Sequence, residues 1–413
     1  MIDLVRSDNV VVRAVPVEDV SRWVVTFDNY GIGHGFDRPA FGESFLRHAG
    51  VSAVHVMGSR EEWYQYREMA EVMAAVRRIT AGAERVMTYG SSMGGYAAIR
   101  FADAAGAHAA LAISPQYSID PAKVPFETRW RQEAHGIRWL PEIDGPIKCG
   151  CTPVIVFDPT GDDRRHVEMI AAETAIERIS LPHSGHPSAT YLSELELLGP
   201  LVLQTLSGAL NVAGFRADAR RRKPQCPAYL SRLAELQPPR RADLALALAR
   251  RANDLAPANP IALAAVASLL GRLGEHEQAL AYHDVLSNVT ERAPNYLVLR
   301  AQALVDAGRP DEARVLAREV VETNPDTANL WAWLGHIEWQ CGAHGPAIKA
   351  LEHAVGLFPS HAEYQLQLDH YRASLPLDTE ALPKRGLARV VRTAKLWLRR
   401  GAAASQADVD SPG

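Results

Sequence analysis

Cysteine is scarce in this sequence. Cys149, Cys151, Cys226 and Cys341 are the four in 413 residues. So few thiols exclude a disulfide scaffold, and a cytoplasmic chain would keep them reduced. Cys149 and Cys151 lie close together, but no further Cys or His pair stands near them at a zinc-like spacing, so scattered thiols are the default reading. Apolar runs of about 18 residues or more are also missing, which argues against a membrane-spanning helix. The opening MIDLVRSDNVVVRAV lacks a basic stretch followed by an apolar region and a small-residue cleavage site. No secretory signal is therefore expected, and the expected location is cytoplasmic. A strong net charge is absent too: −4, with a pI near 6.4, gives no reason to expect a nucleic-acid partner.

The chain is long enough for two or three domains, and 47% hydrophobic with 22% charged residues lets each bury its own core. From residue 10 to about 210, short apolar runs alternate with helical patterns. The runs are Val10–Val15, Trp23–Phe27, Ala53–Met57, Arg85–Tyr89, Ala109–Ser114, Pro153–Phe157 and Arg178–Leu181. They are rich in Val, Ile and Ala and seldom alternate with polar residues, as strands buried on both faces do. Helix patterns at Ala40–His48, Gln65–Ile79, Gly95–Ala104 and His166–Ile176 lie between them. The order predicts an α/β domain over 1–210, with a mostly parallel sheet and helices on both faces. One connection, 115–152, is long and carries Tyr117, Phe126, Trp130 and Trp139. It reads either as a lid over a cleft or as an excursion packed on the sheet.

The strand ending at Tyr89 runs into Gly90-Ser91-Ser92-Met93-Gly94-Gly95-Tyr96, and a helix pattern follows at once. This is Gly-x-Ser-x-Gly between strand and helix. The turn is tight enough to hold Ser92 strained with its hydroxyl projecting, and glycines at 90 and 94 leave room for backbones that pass close together. The new helix points unpaired N–H groups at the serine, where they favour a developing oxyanion. Here the chain resembles the α/β-hydrolase superfamily over roughly its first 210 residues, and the motif looks like the elbow of small bacterial serine esterases.

That resemblance implies the order serine, acid, histidine. The base would follow the strand Arg178–Leu181, in Pro182-His183-Ser184-Gly185-His186-Pro187; His186 fits the Gly-His context and His183 is the reserve. The acid would follow Pro153–Phe157, in Asp158-Pro159-Thr160-Gly161-Asp162-Asp163. Its usual place just before the next helix favours Asp163, then Asp162, with Asp158 better placed to cap or brace the loop. The backbone of Met93 would be one oxyanion donor and that of Asn29 or Tyr30 the other, although the loop Asp28–Gly35 departs from the family's His-Gly pattern. Trp63-Tyr64-Gln65 either lines the pocket or packs in the core. Gly31-Ile-Gly33-His-Gly35 lacks the spacing of a dinucleotide fingerprint. No metal or organic cofactor is expected.

Past Leu210, the stretch 211–225 contains Arg220-Arg-Arg-Lys223-Pro224 and reads as a basic linker. From 226 to about 376 there is a repeat. Gly274, Gly308 and Gly342 stand 34 residues apart, as do Ala279, Ala313 and Ala347; Ala245 extends the series backwards. Pro257, Pro325 and Pro359 share one phase, with Glu291 in the missing slot, and Ala267, Ala301 and Gly335 share another. Two helices of about a dozen residues and two turns fill such a period. Small residues sit where helices approach, glycine turns the chain, and proline follows the second helix. With Trp331, Leu334-Gly335, Ala347, Ala354 and Pro359, this resembles the tetratricopeptide repeat (TPR) family, although Glu338 replaces the usual aromatic. Three copies are clear and a first, degenerate one precedes them. The resemblance implies an all-α array whose concave face takes a protein or peptide.

The tail, 377–413, carries Leu387, Val390, Val391, Ala394, Trp397 and Leu398 on one helical face and Arg389, Arg392, Lys395, Arg399 and Arg400 largely on the other. Residues 386–400 therefore suit either peripheral membrane contact or docking on the protein itself, and the end reads as disordered. The expected function is a serine hydrolase acting on a small-molecule or glycan-linked acyl substrate, ester or thioester. The alternatives are an acyltransferase using the same triad and a TPR scaffold whose hydrolase fold is inactive.

Overall fold

The computed structural model describes residues 1–33, 35–359 and 361–374. The amphipathic stretch 386–400 lies outside them. The chain divides into two compact units, Met1–Arg232 and a second beginning at Leu233. Among the described residues no helix is long and apolar enough to cross a membrane.

The first unit is built on an eight-stranded sheet of order β1-β2-β4-β3-β5-β6-β7-β8. Its strands are β1 (Ile2–Arg6), β2 (Val10–Val15), β3 (Arg22–Phe27), β4 (Ser52–Gly58), β5 (Arg85–Ser91), β6 (Ala109–Ile113), β7 (Val154–Phe157) and β8 (Glu177–Ser180). β3 to β8 pair in parallel, while β1 with β2 and β2 with β4 pair antiparallel, so the sheet is mixed. β1 goes undetected in the sequence because it is an edge strand whose residues are exposed or half-buried, leaving a weak apolar signal.

Alternate residues of each central strand feed opposite faces, as the period of two demands. Helix α1 (Glu43–His48) lies between β3 and β4; Val25, Phe27, Val54 and Val56 pack with helices α2 (Met69–Ile79), α3 (Met93–Arg100) and α4 (Ala102–Ala105). Val24, Ala53, Met87, Tyr89 and Leu111 face the other way. The long connection packs on the first face, where its helices α5 (Arg131–Gly136) and α6 (Pro141–Asp144) contribute Ala134 and Ile143 beside the buried Ile119 and Trp130. After β7 comes α7 (Asp163–Glu173); after β8 come α8 (Ala189–Glu194) and α9 (Leu198–Ser207).

The stretch 211–225, expected as a solvated linker, is instead mostly helix. It forms α10 (Val212–Arg222), capped by the Asn211 side chain, which accepts from the Gly214 N–H at 3.0 Å. Phe215 and Ala219, four residues apart, are buried in the second face's core. The arginines occupy the remaining helical surface, which is why composition alone suggested solvent.

α11 (Pro227–Glu235) is followed in the second unit by α12 (Ala242–Leu255), α13 (Pro260–Arg272), α14 (His276–Val289), α15 (Pro294–Asp306), α16 (Pro310–Thr323), α17 (Ala328–Gln340), α18 (His344–Leu357) and α19 (Ala362–Ser374). The repeat glycines have one physical job. Gly274, Gly308 and Gly342 have φ of 81°, 71° and 76°. Each ends the first helix of a pair in the same bonding pattern: Glu275 N–H reaches back to Leu270, Arg309 to Leu304 and Ala343 to Glu338. A side chain at that left-handed position would be strained. In the slot where Pro is missing, Glu291 and its neighbour Arg292 themselves take positive φ, 48° and 62°. Gly335 sits so close to α18 that a Cβ there would lie 3.0 Å from the Ala347 carbonyl oxygen.

Glu338, which replaces an aromatic of the repeat pattern, is 1% exposed and held by two arginines of α16: Arg314 Nε donates at 2.7 Å and Arg318 Nε at 2.8 Å. Both arginines retain access to water, with side-chain exposures of 28% and 46%. Removing the arginines should therefore cost more than removing the acid, because it strands a buried charge. Arg314→Leu/Arg318→Leu is expected to destabilise the second unit by about 3 kcal/mol. Glu338→Leu should cost clearly less, and thermal unfolding of the two full-length variants followed by circular dichroism checks the order.

Candidate active site

Strand direction brings the site together. β3 to β8 run parallel, so the turns that follow them gather at one sheet edge. Ser92 follows β5 and is the N-cap of α3, with φ 53° and ψ −116°, a conformation that costs an L-residue about 1–3 kcal/mol. Neighbours enforce it. The Ser92 N–H is tied to the Ile113 carbonyl of β6 at 2.8 Å. A Cβ on Gly90 would lie 2.2 Å from the Gly94 backbone, and one on Gly94 would lie 2.3 Å from the Phe27 carbonyl oxygen. Only glycine fits these crossings.

The Ser92 Oγ lies 3.0 Å from His186 Nε2. His186 Nδ1 lies 2.9 and 2.8 Å from the two carboxylate oxygens of Asp163, the first residue of α7. Of the three carboxylates after β7, Asp163 is thus the one that meets the imidazole. Asp162 is exposed. Asp158 braces the histidine loop: it accepts from the N–H groups of His183 at 3.0 Å and Gly185 at 2.9 Å, and from Thr160. Ser114 adds a second tie by accepting from Ser188 N–H at 3.1 Å. The His183 ring packs toward Tyr229, 6.3 Å between centroids.

Met93 opens α3, so its N–H has no intrahelical acceptor. The loop with Asn29 and Tyr30 leaves β3 beside the elbow, since the Phe27 and Asp28 carbonyls lie against Gly94. The Asn29 side chain donates to the Tyr30 carbonyl, and the Tyr30 hydroxyl donates to Glu133 at 2.7 Å. Trp63 is buried, with its ring against Tyr30 and Trp130.

Several residues at the site carry no motif. Gln116 Nε2 donates to Ser92 Oγ at 3.1 Å. Arg129 donates to Asp163 at 2.9 Å and grips Glu127 with a paired contact, 3.1 Å from Nε and 2.7 Å from the terminal nitrogen. His166 Nε2 lies 2.9 Å from Glu127, and its Nδ1 accepts from the Tyr117 N–H at 3.2 Å. Trp130 and the His186 ring meet in a T-shaped contact, 5.2 Å between centroids. Three of these, Gln116, Glu127 and Arg129, come from the irregular parts of 115–152. Aromatic content was the sequence signal there, and it marked Trp130 but not the charged partners.

The family comparisons fall in the second unit. Residues 294–337 and 328–361 match two tetratricopeptide repeat models, so the pairs α15–α16 and α17–α18 are TPR units. Comparison with curated proteins finds no match. Among solved structures, TTC0263, a thermophilic TPR protein of Thermus thermophilus, is 18% identical; the alignment covers 44% of this chain and 99% of that one, with a TM-score of 0.34. YrrB, described as a TPR protein with an unusual peptide-binding site, is 16% identical over 43% of this chain and 90% of its own, with a TM-score of 0.31. The Sgt2 TPR domain from Aspergillus fumigatus is 14% identical over 31% and 90%, with a TM-score of 0.24.

Electrostatics bind the first unit's site into one network. Burial pushes the Asp163 carboxyl up, but the ring of His186 and the guanidinium of Arg129 outweigh it and hold the group well below the usual carboxylate range. Burial also pushes Glu127 up; the hydrogen bond from His166 and the charge of Arg129 bring it down to about 2. A carboxylate with a folded pKa below its unfolded value of about 4.3 stabilises the fold above that value and loses the contribution as pH falls through the folded one. The window for Glu127 is thus about pH 4 down to about pH 2. Glu127→Gln should lower the Tm at neutral pH and flatten its decline across that window. Melting curves of wild type and variant over the acid range check both effects.

Proposed function

We propose that the first unit is a serine acyl hydrolase working in the manner of the α/β-hydrolases. The reading is supported by one observation above others: an unbroken hydrogen-bonded path from Ser92 through His186 to Asp163 at 3.0 and 2.8 Å, with the serine on a strained strand-to-helix turn.

On this reading the roles follow from which groups can donate and which can only accept. Ionised Asp163 only accepts, so His186 Nδ1 carries the proton and Nε2 offers a lone pair to the serine hydroxyl. Ser92 Oγ attacks the acyl carbonyl while its proton passes to Nε2. Asp163 faces the resulting imidazolium and holds its tautomer, and Arg129 keeps that carboxylate ionised. The imidazolium returns the proton to the leaving alcohol or thiol, and water repeats the sequence on the acyl-enzyme. The N–H of Met93, at the start of α3, and the Asn29–Tyr30 backbone are the proposed oxyanion donors. The substrate would be a small-molecule or glycan-linked ester or thioester, met in the cytoplasm without a cofactor. Transfer to an alcohol uses the same steps with a different acceptor. The repeats would bind a protein or peptide partner.

A second reading is favoured by the family matches at 294–361: the repeats carry the function, as a scaffold, and the first unit is catalytically silent. A fluorophosphonate probe, which reacts with activated serines, separates the two. The wild type is expected to label, with labelling lost in Ser92→Ala and reduced at least 10³-fold in rate in His186→Ala. Absence of labelling of the folded wild type across several probes and pH values would overturn the hydrolase reading and favour the scaffold.

A further inference from the structure

Gln116 has no place in the sequence motif, yet it is 1% exposed and its amide nitrogen lies 3.1 Å from the nucleophile's oxygen. Its other end is held: the Trp63 indole nitrogen donates to Gln116 Oε1 at 3.2 Å. An indole N–H is a donor only, so the carboxamide must turn its oxygen toward Trp63 and its NH2 toward Ser92. Chemistry, not atom assignment, fixes the orientation.

The orientation suits the serine. Its proton goes to His186 Nε2, which leaves the Oγ lone pairs facing the Gln116 N–H. Every polar atom in the row Trp63–Gln116–Ser92–His186–Asp163 then has a partner of the right kind. Trp63 is itself locked. It is fully buried, and with Tyr64 it forms a pair of successive non-glycine residues at positive φ, 47° and 57°. Its carbonyl accepts from Gln65 Nε2 at 3.0 Å, and its ring packs against Trp130 and Tyr30. A side chain held this firmly is a preorganised donor, the kind that stabilises developing charge without reorganising.

We propose that Gln116 is a catalytic residue that serves as a side-chain oxyanion donor. This rests on Ser92 being the nucleophile. In the resting enzyme the Gln116 N–H holds Oγ with its proton aimed at His186. On attack the Oγ–carbon bond forms, the Oγ proton moves to Nε2 and the carbonyl π pair moves to the carbonyl oxygen. That oxygen, bonded to the same carbon as Oγ, comes within reach of the second N–H of the Gln116 amide, which donates to it beside the N–H of Met93 while the carboxamide keeps its place. Trp63 is a positioning residue that acts through the amide.

The test uses the full chain and the rate of fluorophosphonate labelling, whose tetrahedral product presents an oxygen at the same place, together with kcat for p-nitrophenyl acetate. Gln116→Leu should slow both by roughly 10²–10³-fold, the usual effect of losing one oxyanion donor. Gln116→Glu is close in shape and keeps the bond to Trp63, but turns an acceptor toward the oxyanion; it should be at least as slow, and it serves if the leucine variant does not fold. Trp63→Phe should have a smaller effect that disappears in the Gln116→Leu background, because the indole acts only through the amide. A wild type that labels, a Ser92→Ala that does not, and folded Gln116 variants that label at the wild-type rate would overturn the role of Gln116 and leave the hydrolase reading standing. A wild type that never labels removes both.

Discussion

Two backbones touch where β5 turns into α3, and the site depends on that contact. Neither Gly90 nor Gly94 has room for a Cβ: each would collide with main-chain atoms at 2.2–2.3 Å. The close crossing forces the chain to reverse within one residue, and Ser92 takes the strained conformation that results. The strain is tolerated because the residue is pinned on both sides, by its N–H to β6 and by α3 starting at the next position. A looser turn would relax the serine into the helix and withdraw its oxygen from the histidine.

Around this fixed point the charged groups form one connected set. Asp163 faces His186 on one side and Arg129 on the other, and Arg129 is shared with Glu127, which bonds His166. Two buried carboxylates would be costly side by side without a cation between them. Arg129 supplies that cation, and it arrives from the long connection, whose apolar residues are sunk in the same core. The connection is thus held by packing, and its packing delivers charge to the site. Asp158 uses its carboxylate differently, holding the backbone of the histidine loop through two N–H groups.

The second unit follows another logic. Its contacts are local and repeat along the chain, so one glycine position does the same work three times: the left-handed residues Gly274, Gly308 and Gly342 close the same bonding pattern. Departures are absorbed locally too. The acid at Glu338 is met by two arginines from the preceding helix, and the slot without proline is turned by Glu291 and Arg292 at positive φ.

These differences decide what was legible beforehand. Periodic and contiguous features are written in the sequence: the apolar runs of β2 to β8, the 34-residue period, the glycines flanking Ser92, and histidine and acid candidates placed by the ends of strands. Each follows from a geometry that repeats or from a turn that admits few residue types. Gln116, Glu127 and Arg129 lie in irregular chain, where no period marks them. They meet partners 24, 39 and 34 residues away, and Asp163 rather than Asp158 or Asp162 faces the imidazole because the start of α7 carries it there. The helix at Val212–Arg222 reads as a linker in the sequence because its arginines outnumber its two buried residues, Phe215 and Ala219. The sequence by itself determined the elements and the turn that strains the serine, since these are local consequences of backbone sterics and apolar period. Only the tertiary structure decided which polar groups meet across the sheet edge, because a hydrogen bond between distant irregular segments is set by how the chain packs over the core, and packing leaves no local mark.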